Sequence, residues 1–210
     1  MLTTGLVWIR TGLLWLFTIG VAVFSWRFMV GGVEATMEFM AYHAQLRPIA
    51  FFGHVVLAPV ALALVPLQLW QGLREKRPQV HRLMGRAYGI AVLLSGASGL
   101  WLAVTTEAGP VAAFGFGLLA VLWLGTTITG ISLAMSGDRV AHRRWMIRSV
   151  ALTLAAVTLR IQIPASMMLD IPFDTAYPAI AWLCWVPNLL VAELALRWPR
   201  RPTVRLRAPA

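Results

Sequence analysis

Charge, acid and cysteine are all in short supply in this chain. Only 12% of its 210 residues are charged, whereas ordinary soluble domains carry roughly a quarter, so a soluble fold has too little polar surface to clothe it. Acids number 8 against 18 Lys and Arg. Neither an acid-rich nor a cysteine-rich cluster is present to suggest a metal centre. The single cysteine, Cys184, lies inside an apolar stretch, which excludes an internal disulfide framework and a thiolate metal cluster.

Hydrophobic residues make up 59% of the chain, and the mean hydropathy is +0.74. They come in blocks of about 20, the length a helix needs to cross a hydrocarbon core about 30 Å thick. Helices satisfy their own backbone hydrogen bonds, which lipid cannot do. The expected fold is therefore an all-α polytopic bundle of about six transmembrane helices, one domain over residues 1–198 with a basic Pro/Arg-rich tail over 199–210. The net charge is +10, but the basic residues sit mainly between and after the blocks. That pattern sets membrane orientation and argues against a nucleic-acid partner.

The blocks fall at about residues 11–30, 48–70, 82–104, 111–135, 145–168 and 176–196. The first is too long for a signal peptide and reads as a retained helix. Residues 31–47 form a polar connection, with room for an interfacial helix, and Asp170, Pro172 and Asp174 form a short acidic loop. Pro59, Pro66, Pro164 and Pro187 lie within apolar blocks, where they are expected to kink or open the helices. With six helices, fifteen Lys and Arg fall on one side; Arg27 and Arg47 fall on the other, and Arg160 lies within a helix. The rich side is expected to be cytoplasmic, with both termini there, in a cytoplasmic (inner) membrane. Trp8, Trp26, Trp70, Trp145 and Trp198 fit interfacial belts.

Two groups of residues stand out for chemistry. His81-Arg82 and His142-Arg143 each follow a basic loop, which sets the two histidines at similar depth on helices running the same way. Histidine imidazole ligates haem iron, and helix bundles build cofactor sites from facing helices. One b-type haem for electron transfer is thus a candidate, with His81 and His142 on the iron, Gly85 leaving room, and Arg82, Arg86, Arg143 and Arg148 near the propionates. The plainer reading of the same residues is an interfacial collar, and they also resemble an anion site for acidic lipid at the cytoplasmic face.

The second group lies toward the opposite side: His54, Arg160 and Gln162. An arginine at mid-membrane costs roughly 2.5 to 3.5 kcal/mol on insertion scales and normally faces the bundle interior with a partner. Arg160 reads either as a counter-ion for an anionic or lipid-like ligand, or as a structural link to a carbonyl or acid. Glu193, near the end of the sixth block, is expected to pair with an arginine of the third or fifth helix. A third possibility is an accessory subunit, with a membrane-protein partner packed against Gly- and Trp-rich helix faces.

The strings HRLMGRAYGIAVLLSGASGLWLA (81–103) and AHRRWMIRSVALTLAAVTLR (141–160), together with His54, resemble a bacterial membrane family known as domain of unknown function 2306. The resemblance extends over about residues 40–165. It implies a membrane fold without implying an activity. The pattern is also distantly similar to transmembrane cytochromes b, in which histidines on alternate helices pair across the core. That likeness implies one bis-histidine haem at most, because His54 has no histidine partner on the fourth helix.

Overall fold

The computed structural model describes residues 2–198, with side chains from residue 5 onward; the tail at 199–210 lies outside the described residues. No strand occurs among them. Six helices are long and apolar enough to cross a membrane. We number them α1 (Leu2–Ser25), α2 (Pro48–Leu69), α3 (Pro78–Val104), α4 (Gly109–Met135), α5 (Arg139–Met168) and α6 (Phe173–Arg197).

Local chemistry sets where these helices start. Pro48, Pro78 and Pro110 each occupy the first turn of their helices, where a missing N–H costs nothing and the fixed φ is already helical. Asp138 caps α5 by accepting from the Ala141 N–H at 2.9 Å. Gly137, at φ 85°, takes the left-handed turn between α4 and α5 that a side chain would resist. Consequently α3 and α5 begin earlier than the apolar blocks suggest, and His81 and His142 lie inside the first turns of their helices.

Two helices are interrupted. The α5 ladder tightens at Leu154, between Arg139–Thr153 and Ala155–Met168, with the Val157 N–H reaching the Leu154 carbonyl at 3.0 Å. No proline marks that point. In α6 the break separates Phe173–Leu183 from Val186–Arg197, with Pro187 in the first turn of the second half. Pro187 has no N–H to offer the Leu183 carbonyl four residues earlier. The Gln162 amide of α5 donates to that carbonyl at 3.2 Å instead. By contrast, helix continues through Pro59, Pro66 and Pro164.

The core draws on α2 to α6, around Val65, Tyr88, Trp123, Leu152, Ile180 and Trp185. A buried hydroxyl network ties α3, α4 and α5 together at its centre. Tyr88 Oη lies 2.7 Å from both Ser149 Oγ and Thr153 Oγ1; Thr127 Oγ1 also meets Ser149, and the Trp123 indole donates to Thr153 at 2.9 Å. Helix α1 packs at the edge against α2 and the second half of α5, through Ala22, Leu62 and Val157. The connection after α1 is a string of short helical pieces, Phe28–Gly31, Val33–Thr36, Glu38–Met40 and Ala41–Leu46. It folds back on the bundle: Phe39 stacks on Phe173 at 3.9 Å, and Tyr42 Oη meets Thr106 Oγ1 at 3.2 Å.

Candidate functional site

At the end of the bundle closed by this connection lies a cavity of about 580 Å³. That volume is within the range of about 300–1,000 Å³ that houses small-molecule ligands. Its walls are mainly apolar, with Leu62, Leu102, Phe116, Leu152, Leu159 and Ile163 among them. Trp123 and Thr153 of the hydroxyl network also line it. The ionisable Arg, Glu and His side chains in the wall are Arg27 just after α1, Glu38 and His43 in the connection, His54 on α2 and Arg160 on α5.

Arg160 is held by its own helix, donating from Nη1 to the Ala156 carbonyl at 3.1 Å. Among the described residues no carboxylate lies within ion-pair distance of it. Asp170 and Asp174, the acids nearest in sequence, do not pair with it. Arg27 is tethered in the same manner: Nη2 donates to the Thr36 carbonyl at 2.5 Å, and the guanidinium sits 4.4 Å over the Phe24 ring. Both guanidinium-bearing residues line this one cavity. Glu38 is exposed, and among the described residues it forms no ion pair.

His54 owes its position to Gly99. A Cβ at Gly99 would fall 2.8 Å from His54 Nδ1, so only a glycine there lets the ring lie against α3. His54 Nδ1 lies 2.9 Å from the Ser95 carbonyl; that contact makes Nδ1 the donor and leaves Nε2 as an acceptor. His43 is buried with Nδ1 unpartnered and its ring 4.0 Å from that of Tyr42. Burial, aided by the Arg47 charge, pushes its pKa down to about 4. Gln162, expected beside Arg160 and His54, turns away to the α6 break; its Oε1 is buried and unpartnered.

The histidine pair near the opposite end is differently engaged. His81 and His142 lie in the first turns of α3 and α5. His142 Nδ1 donates to the Gly130 carbonyl of α4 at 2.7 Å, whereas His81 Nδ1 is buried without a partner. A Cβ at Gly85 would lie 3.4 Å from Gln68 Oε1, and the Gln68 amide donates to the His81 carbonyl at 3.2 Å. Gln68 of α2 therefore occupies the side that Gly85 leaves open. Arg148 is taken by Glu193 of α6 through bonds of 2.5 and 3.0 Å, and it also lies over the Trp145 ring. This is the pairing expected of Glu193. Arg82, Arg86 and Arg143 are exposed.

His54 and Arg160 stand out in the sequence, whereas Arg27 and His43 join the site only in the folded structure. Arg27 carried a signal, being one of only two basic residues on the sparse side. His43 carried none, because its burial depends on contacts with distant residues.

Comparison with curated proteins and with solved structures finds no match. A family model described as predicted membrane protein (DUF2306) matches residues 51–196. That span takes in His54, Arg160 and both His-Arg pairs, covering most of α2 and all of α3 to α5, and it stops one residue short of the end of α6. With more than half its length matched, and with six membrane-length helices, the chain is an integral membrane protein of the DUF2306 family.

Proposed function

We propose that this protein is a membrane-embedded binding or transport module whose cavity takes an amphipathic, lipid-like ligand, with Arg160 as counter-ion for its polar head. One observation carries the reading. A guanidinium inside the bundle lines an apolar cavity and meets no carboxylate among the described residues. A buried cation normally pairs with an acid or a carbonyl; Arg160 has the Ala156 carbonyl alone, and the cavity beside it is large enough for a ligand to bring the counter-charge. His54, with Nδ1 engaged by the Ser95 carbonyl, adds Nε2 as a polar site for a hydroxyl on the same head.

The same reading puts the protein in the cytoplasmic membrane with both termini inside, on the strength of the basic asymmetry. The cavity then belongs to the outer half, and the basic connections meet anionic lipid at the inner face. A photoreactive alkyl probe tests the binding reading. After irradiation in nanodiscs, labelled peptides should include the stretch 152–164, which carries the cavity-lining Leu152, Ala156, Leu159 and Ile163. Labelling confined to the lipid-facing surface of α1, at Leu13 and Leu16, would refute it.

A second reading, electron transfer through one b-type haem between α3 and α5, draws on the His142 bond to Gly130. A ring whose Nδ1–H is held by a carbonyl has Nε2 oriented for a metal. His81 would supply the other ligand, and Arg82, Arg86 or Arg143 the propionate contacts; Arg148 is bonded to Glu193. The macrocycle would have to displace Gln68 from beside Gly85, which is why the cavity reading ranks first. Absorbance decides: a Soret band lost in His81→Ala and His142→Ala supports haem, and protein that stays colourless after haem addition removes it.

A further inference from the structure

The cavity holds two cations where one would serve a singly charged ligand. Arg27 and Arg160 are far apart in the sequence but line the same cavity, and their hydrogen bonds go only to backbone carbonyls, with Arg27 also lying over the Phe24 ring. Each donates to carbonyl groups through part of its planar fork, leaving further N–H donors free. Glu38, the carboxylate in the cavity wall, is exposed and pairs with neither. Two like charges lining one apolar cavity repel each other, and a head that brings two negative charges answers both. Carboxylates, sulfate esters and phosphodiesters bring one. A phosphate monoester brings roughly 1.5 to 2 at neutral pH, on oxygens that suit guanidinium forks.

Resting on the cavity reading above, we propose that Arg27 and Arg160 form a two-guanidinium clamp for a phosphate monoester head, so that the ligand is an apolar body ending in a terminal phosphate. Arg27 lies outside the residues matched by the family model. The clamp therefore joins a residue of the family core to one supplied by the chain that precedes it. The Ala156 carbonyl of α5 holds one guanidinium, that of Arg160, and the Thr36 carbonyl of the connection holds the other, that of Arg27.

The test uses the full chain in phosphatidylcholine nanodiscs and a fluorescent alkyl phosphate as reporter. Alkyl phosphate, alkyl sulfate and alkanol of one chain length compete against it, as does inorganic phosphate. Alkyl phosphate should compete at about tenfold lower concentration than alkyl sulfate, with the alkanol weaker still. Arg27→Gln and Arg160→Gln should each erase the preference for phosphate over sulfate while leaving alkanol affinity unchanged, which also shows that the variants are folded. Inorganic phosphate competing as well as alkyl phosphate would keep the clamp and make free phosphate its ligand. Equal affinity for phosphate and sulfate, or a preference that survives Arg27→Gln, overturns the clamp while alkanol binding upholds the cavity. A reporter that does not bind at all overturns both.

Discussion

Single atoms decide much of this site. The missing Cβ of Gly99 admits the His54 ring, and the Ser95 carbonyl then fixes its tautomer. Gly99→Ala should push the ring out of the α2–α3 interface at a cost of about 1–3 kcal/mol, the usual penalty for overpacking. Reversible unfolding in mixed micelles would measure it, and an unchanged stability would mean that the ring has slack. His43 gives a pH signature. Its pKa falls from 6.5 to about 4 on folding, so the unfolded chain takes up the proton first as pH drops. Its contribution is complete above about 6.5, declines through that window and levels off below about 4. Stability of wild type should therefore fall over this range more than that of His43→Gln; parallel curves would contradict the burial argument. Neither effect was legible locally. Arg160 and His54 stand out in sequence because a polar group deep in an apolar block is conspicuous by depth alone, whereas His43 sits in a polar connection where histidine is unremarkable.

Among the helices, the break in α6 shows how one residue's lack of a donor recruits a neighbour. Gln162 covers the Leu183 carbonyl that Pro187 leaves open, and Asn188 bonds to both Thr158 and the Cys184 carbonyl at about the same level. Gln162→Leu should cost about 1 kcal/mol, the scale of interhelical hydrogen bonds in membranes. In a Pro187→Ala background the restored N–H takes over, and the loss should shrink. A double-mutant cycle on unfolding free energy reads this coupling directly, and strict additivity would refute it. Apolar block length made the six helices readable. Their true starts were written in Pro78 and Asp138, capping signals that a hydropathy boundary passes over. The tightening at Leu154 has no such mark and belongs to packing.

For the whole molecule, two properties remain to be tested, orientation and occupancy of the cavity. The basic asymmetry predicts that a reporter fused after Arg207 is cytoplasmic and one inserted near Glu38 is external; the reverse result would invert the assignment of the cavity to the outer half. The bundle itself was readable from sequence, but the cavity was not. It exists because residues 28–46 fold over the helix ends through contacts such as Phe39 on Phe173 and Tyr42 with Thr106, between residues far apart in the chain. Periodicity and spacing carry no record of such contacts.

The most direct measurement of the central claim is equilibrium binding of a fluorescent alkyl amphipath to protein whose cavity has been filled. Ala58 and Ala156 both face that space, whereas Ala87 is exposed on α3 away from it. Ala58→Phe and Ala156→Phe should each lower affinity at least about tenfold, the scale of a lost side-chain-sized volume, with melting temperatures at or above that of wild type, while Ala87→Phe binds as wild type does. Folded Ala58→Phe and Ala156→Phe proteins that bind the amphipath with undiminished affinity would contradict the account.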